Sequence, residues 1–217
     1  TQLLRSAADA GLLVVGRGDR PVLERMMRGD TAASVASRAG IPVVEVPADW
    51  RPGTTEHPPY GVVVVGLKSP AYADAVLADA FATADELGAE LEVVHAWKLP
   101  SGYDEATDDD PALGDWEREA MEEVEDLLRS WRAAYPDVTV RTRVVHQHPA
   151  EALVEASARA DLVVVVRRVH GGPTTAHLGS VARAVLRAAD CPVLVVPPTE
   201  AGAIPDLVLE EAGGLLA

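Results

Sequence analysis

Residues 163–198, VVVVRRVHGGPTTAHLGSVARAVLRAADCPVLVVPP, run from an apolar strand through a glycine-bearing loop into a helix, then close on a second apolar strand. One chemistry suits that arrangement. Glycines let backbone N–H groups approach an anion, and the positive end of a helix helps to hold it. Gly179 and Ser180 stand where the helix begins, so they are the candidate phosphate contacts. A plainer role also suffices for Ser180, because a serine hydroxyl would cap a helix beginning at Val181. Gly171 and Gly172 lie in the same loop, but Pro173 removes an N–H that could have joined an anion nest.

Other reactive side chains are thinly spread. His146 and His148 alternate near one strand end, with His95, His170 and His177 expected near the same edge. An alternating pair on a strand can face one way, as zinc would accept, yet no cysteine or ordered third ligand joins it. Exposed loop histidines are therefore expected, and no metal. Cys191, the single cysteine, precedes Pro192 at the start of an apolar strand and reads as a packed, inert thiol. It excludes an intramolecular disulfide and fits a reducing compartment. Asp108, Asp109 and Asp110 are consecutive, so their side chains diverge into solvent. Nothing pairs a nucleophile with a base, and catalysis is not expected. Trp97 and Trp116 flank the acidic loop and are expected to pack in the core or at its rim.

The elements that must position these residues follow from a repeat. At an offset of 150, LLRSAADAGLLVVG (3–16) lies over LVEASARADLVVVV (153–166), Gly29 over Gly179, and IPVVEVP (41–47) over CPVLVVP (191–197). Register held over nearly fifty positions without a gap indicates two copies of one unit. The second copy is complete from about residue 60. The first begins two-thirds of the way through, and the chain opens on Thr1, so an upstream segment is expected. Residues 49–59 are aperiodic and bear Pro and Gly, as a linker does; 199–217 form a tail. Within the second copy, GVVVVGL (61–67) is a continuous apolar run, as in a parallel strand buried on both faces. Ser69 caps the next helix, Pro70 takes its first position and Gly88 ends it. Val76, Leu77, Ala80, Phe81, Ala84 and Leu87 form its apolar face. A strand at 90–97 and a helix from about Asp115 follow, the latter with Trp116, Ala120, Val124, Leu127, Leu128, Trp131 and Tyr135 on one side. VTVRTRVVH (138–146) alternates, so it has an exposed face or lies at an edge. Helix 149–160, strand 161–166, helix 180–189 and strand 192–197 complete the unit. Strands joined by helical crossovers imply an open parallel sheet covered on both faces.

These residues resemble the universal stress protein family. The resemblance rests on VVVGLKSPAYADAVLADA, VVHAW, HPAEALVEASARADLVVV and LGSVARAVLRAADCPVLVVP, and covers 60–198 as a whole domain and 1–48 as the closing third of another. It implies a Rossmann-like five-stranded parallel sheet of order 3-2-1-4-5 with helices on both faces. It also implies dimers or tandem pseudo-dimers pairing through the last strand. ATP-binding members of the family carry G-x2-G-x9-G-[S/T] after the fourth strand and an Asp at the end of the first. Here the third glycine and the serine are Gly179 and Ser180, but the first two glycine positions are Val166 and Val169, and the Asp position is Leu67. A ribose hydroxyl at Leu67 would meet an isobutyl group with no hydrogen bond to replace those of water. Valines add branched Cβ atoms where backbone must approach phosphate. In the first copy Gly16 and Gly29 keep the outer glycine positions, while Asp19 and Asp30 would repel a triphosphate unless a metal intervened. The resemblance leaves a residual nucleotide site at Gly179, Ser180 and the backbone of Val94 as the alternative reading.

Bulk properties narrow the partners. Apolar residues make up 48% of the chain, enough for a core, while aromatics are only 4%, so Val, Leu and Ala must build it. The net charge of −15 argues against nucleic acid or an anionic membrane. Residues 104–126 hold twelve carboxylates and one arginine, the pattern of a solvated face. No apolar run reaches the ~18 residues that span a bilayer, and no secretory leader is evident. The expectation is a cytoplasmic, non-enzymatic protein that self-associates as a homodimer or intramolecular pseudo-dimer, with no cofactor or with ATP held weakly.

Overall fold

A computed structural model describes residues 3–4, 7, 9–18, 31–55, 57–67, 73–97, 111–167 and 178–198. The strands are β1 (Leu13–Gly16), β2 (Val43–Val46), β3 (Val62–Leu67), β4 (Glu90–Trp97), β5 (Val140–His146), β6 (Leu162–Val166) and β7 (Val193–Val196). The helices are α1 (Thr31–Ala36), α2 (Ala73–Leu87), α3 (Pro111–Ala134), α4 (Pro149–Ser157) and α5 (Ser180–Ala188). The expected cap at Ser69 and Pro70 falls outside the described residues.

All strands among the described residues join one sheet of seven, in the order β1-β2-β7-β6-β3-β4-β5, in place of a five-stranded sheet standing alone. Every pairing is parallel except β2 with β7. The added strands are β1 and β2, whose apolar segments meet the edge of β7. The alternating strand β5 lies at the other edge, where one face stays partly exposed.

Strand side chains alternate between two cores because successive Cβ atoms point to opposite faces. On one face Val64, Val94, Val163, Val165 and Val193 pack under α1, α4 and α5 through Val35, Leu153, Ala156, Val185 and Leu186. On the other, Val63, Val65, Leu91, Val93 and Val164 pack under α2 and α3. There Phe81 lies 5.7 Å from the Trp131 ring and 5.4 Å from that of Tyr135. The stripe of α3 is buried at Val124, Leu128 and Trp131, and its carboxylates line the opposite side. This helix starts one turn before Asp115, at Pro111, because proline suits a first turn whose N–H groups have no helical partner. Leu87 corrects the expected face of α2: it is 60% exposed. It is the helix's last residue, and Gly88 at φ 59° turns the chain into β4 before anything covers it.

The β2–β7 seam is symmetric at an offset of 150 residues. Val43 faces Val195, Val44 faces Leu194, and Glu45 faces Val193. Shifting each residue to its counterpart 150 positions away exchanges the outer pairs and leaves the central pair unchanged. A local two-fold axis therefore passes between Val44 and Leu194. The arginines beyond the neighbouring strands obey the same axis. Arg17 donates to the carbonyl of Ala189 at 2.7 Å, and its counterpart Arg167 donates to that of Ala39 at 2.6 Å. Glu45, 1% exposed, pairs with Arg17 at 3.2 Å, whereas Val195 stands at the equivalent place beside Arg167.

Candidate functional site

The order of the strands reverses direction around β3, which has β4 on one side and β6 on the other. In open parallel sheets the crevice beyond the C-terminal strand ends at such a point is where ligands bind. A cleft of about 790 Å³, counting its open mouth, lies there. Leu67 closes it at the end of β3, Val94 and Ala96 at β4, Val165 and Val166 at β6, and Leu153 at α4; Gly179 and Ser180 open the helix on its far side. Five residues singled out from the sequence (Leu67, Val94, Val166, Gly179 and Ser180) thus meet around one space. Gly16 lies elsewhere, at the end of β1. Val169 and Gly29 fall outside the described residues, as do Asp19, Asp30, His170, Gly171, Gly172, Pro173, His177 and Asp108 to Asp110.

The described lining carries no charged side chain. Leu67 is buried, so a group reaching the end of β3 exchanges water for hydrocarbon. The carbonyl of Leu67 is already engaged: it accepts from the ring Nδ1–H of His95 at 3.1 Å.

Ser180 is not the cap expected. Gly179 is the N-cap, at φ −58° and ψ 160°, and Ser180 is the first helical residue, with no side-chain cap bond at this end. A first-turn residue already has helical backbone angles, so its hydroxyl cannot fold back over the following N–H groups as an N-cap oxygen does. The first-turn N–H groups of α5 therefore have no side-chain acceptor among the described residues.

Gly66 and Leu153 belong to the site and were missed. A Cβ at Gly66 would lie 2.7 Å from Cδ1 of Leu153. Glycine thus lets Leu153 lie directly on the strand, where it forms the floor of the cleft. The available signal was a glycine interrupting a valine run near the strand's end.

The histidines are placed structurally. His148 is the N-cap of α4, with Nδ1 accepting from the N–H of Ala150 at 3.2 Å. The ring of His146 lies 4.7 Å from that of Trp97, and Trp97 meets Trp116 edge-on at 6.1 Å. Among the described residues no three His, Cys, Asp or Glu side chains are placed to hold a metal. Cys191 is fully buried, and burial pushes its thiol up to about 12, so little thiolate forms at neutral pH. No described helix is long and apolar enough to cross a membrane.

Comparison with known proteins agrees with this architecture. A model of the Universal stress protein family matches residues 59–197. A universal stress protein of Mycobacterium tuberculosis is 36% identical over 187 residues, covering 86% of this chain and 62% of the relative. A second from that organism is 31% identical over 210 residues, covering 94% of this chain and 64% of the relative. The chain thus spans somewhat under two-thirds of the length of these relatives. The crystal structure of a universal stress protein from Archaeoglobus fulgidus has the same fold, with a TM-score of 0.62 at 19% identity, covering 93% of this chain and 66% of that one. With the switch-point cleft, the covered parallel sheet and these matches together, the chain belongs to the universal stress protein family.

Proposed function

We propose that this chain works by binding and assembly, without turnover, and that its cleft has lost the chemistry for nucleotide while keeping the shape. Its units would be residues 1–48 as the closing part of a first domain, 49–59 as linker, 60–198 as a complete second domain and 199–217 as tail. The observation that carries the reading is the meeting of Leu67 and Val166 with Gly179 and Ser180 around one uncharged space. Ser180 has no base beside it in that lining, which supports a role other than catalysis. The antiparallel seam of β2 and β7 supports assembly as an intramolecular pseudo-dimer, since the edge of β7 is already occupied. A cytoplasmic setting suits the free, buried Cys191.

A second reading has its own support. The first turn of α5 has no side-chain cap, so its N–H groups are available to an anion, and Val94 stands across the cleft. In that reading Gly179, Ser180 and the backbone of Val94 hold ATP or AMP weakly. Calorimetric titration of magnesium ATP into the protein and into a Leu67→Asp, Val166→Gly, Val169→Gly variant separates the two. Binding by the variant alone is the expected result. Binding by the parent would put the nucleotide reading first.

A further inference from the structure

We infer that a second pocket, at the N-terminal ends of β3, β6 and β7, binds a small organic cation, an amine or a quaternary ammonium compound. It encloses about 750 Å³ with its open mouth and lies at the opposite end of these strands from the apolar cleft. The linker forms one wall through Trp50, His57 and Tyr60. The C-terminal ends of α4 and α5 form another, and Arg17 reaches in from beyond β1.

Charge selects the class of ligand. Arg17 is the pocket's one arginine among the described residues, and it is already satisfied. Its Nε lies 3.2 Å and its NH2 3.4 Å from the carboxylate of buried Glu45, and NH1 donates to the carbonyl of Ala189 at 2.7 Å. That pair cancels. Asp49 and Asp190 remain at the rim, both exposed, and neither carboxylate has an ion pair or hydrogen bond among the described residues. Two helices also end here, presenting the negative ends of their dipoles. α4 has no basic residue in its last turn; Arg187 of α5 is exposed and does not line the pocket. Arg51 turns its guanidinium onto the carbonyls of Ala48 and Trp50. Among the described residues, the charge lining the pocket is therefore negative on balance.

Aromatic faces make it a site for an organic cation. Trp50 and Tyr60 line the pocket, and an ammonium group over such a ring is attracted by its quadrupole. Trp50 packs against the ring of His57 at 4.5 Å and against the core. The linker is held by its own bonds: the N–H of His57 donates to Oγ1 of Thr54 at 3.2 Å, and the N–H of Tyr60 to Asp161 at 3.1 Å. Asp190 is held by its N–H, which donates to Oγ of Ser157 at 3.0 Å. Walls ordered in advance reduce the entropy lost on binding. A hard metal ion held by two exposed rim carboxylates would keep most of its waters and gain nothing from the aromatic rings, so the rings favour an organic cation.

The test is titration of choline chloride into the full chain at constant ionic strength, followed by NMR through the indole N–H of Trp50, assigned by its loss in Trp50→Phe. The expected result is a saturable shift, with affinity at least about tenfold weaker in Asp190→Asn. That substitution keeps the side chain's shape and the N–H bond to Ser157, so an unchanged thermal midpoint assigns the loss to charge. The inference is overturned by the absence of a saturable shift, by equal affinity in Asp190→Asn, or by saturation with sodium acetate in place of choline, which would make Arg17 an anion site. Saturation by magnesium chloride in place of choline would overturn it likewise. The pocket is separate from the apolar cleft, so this result is independent of the ATP titration.

Discussion

Asp79 sits on α2 with its carboxylate partly buried and without a partner among the described residues, and burial raises its pKa above the usual 3.8. The folded chain therefore holds that proton more tightly than the unfolded chain does. Ionisation costs stability above the raised pKa, and the cost fades as pH falls from there towards 3.8. Asp79→Asn is expected to raise the thermal midpoint at neutral pH, with the gain shrinking as the solution is acidified through that window. Melting curves of both proteins from neutral to acidic pH check this; a gain independent of pH would remove the carboxylate as its cause. At Leu67 the same physics acts through a different side chain. Its isobutyl group offers no side-chain hydrogen bond at the end of β3, so a polar group brought there would lose its water without replacement. Neither effect needs any change in fold.

The seam between β2 and β7 is where elements carry the weight. Val43, Val193 and Val195 are buried there, but the seam also holds Glu45 against Arg17. Replacing one partner of a buried pair leaves the other charge uncompensated, at a cost of roughly 3 kcal/mol. Glu45→Gln is expected to lower the unfolding free energy by about that amount, seen as a lower urea midpoint at unchanged slope, and Arg17→Met in the same chain to recover most of the loss. Arg167 shows how the two halves diverge. It has Val195 where Arg17 has Glu45, it spends NH1 on the carbonyls of Ala36 and Ala39, and burial lowers its pKa. Elsewhere, periodicity was a good guide to the elements, because α2 and α3 bury stripes at helical spacing. It failed at ends, as with Leu87 and Ser180, where the local turn decides exposure and capping instead of the repeat of the helix.

At the scale of the molecule, seven strands form one sheet because β2 covers the edge of β7, which would otherwise present unpaired N–H and C=O groups beside buried valines. A chain beginning at residue 49 would lack that cover. It is expected to dimerise through β7 about the same axis, as sedimentation velocity would show by a dimer absent from the full chain; a monomer would mean that β7 needs no partner. The chain is strongly acidic, with a net charge of −15, and the exposed side of α3 contributes Glu117, Glu119, Glu122, Glu123 and Asp126 to it. Short-range pairs such as Arg118 with Asp115 at 2.8 Å are exposed, so they contribute little to stability.

The sequence by itself determined the elements, their alternation and the family, because a strand or helix encodes the burial of its own faces in its own periodicity. The repeat also named the two segments that meet at the seam. The resemblance to the family marked Leu67, Val94, Val166, Gly179 and Ser180 as site candidates, and the ends of parallel strands and the start of the following helix converge wherever such a sheet forms. Tertiary structure alone decided the rest. Leu153 reaches the cleft only because α4 sits at one rotation above Gly66. Glu45 has a partner, and the Asp190 carboxylate has none among the described residues, because of positions far apart in the chain. The pocket beside Trp50 is assembled from the segment before β3, two helix ends and Arg17, which follows β1. Such meetings depend on the register and packing of separate elements, which no local pattern of residues encodes.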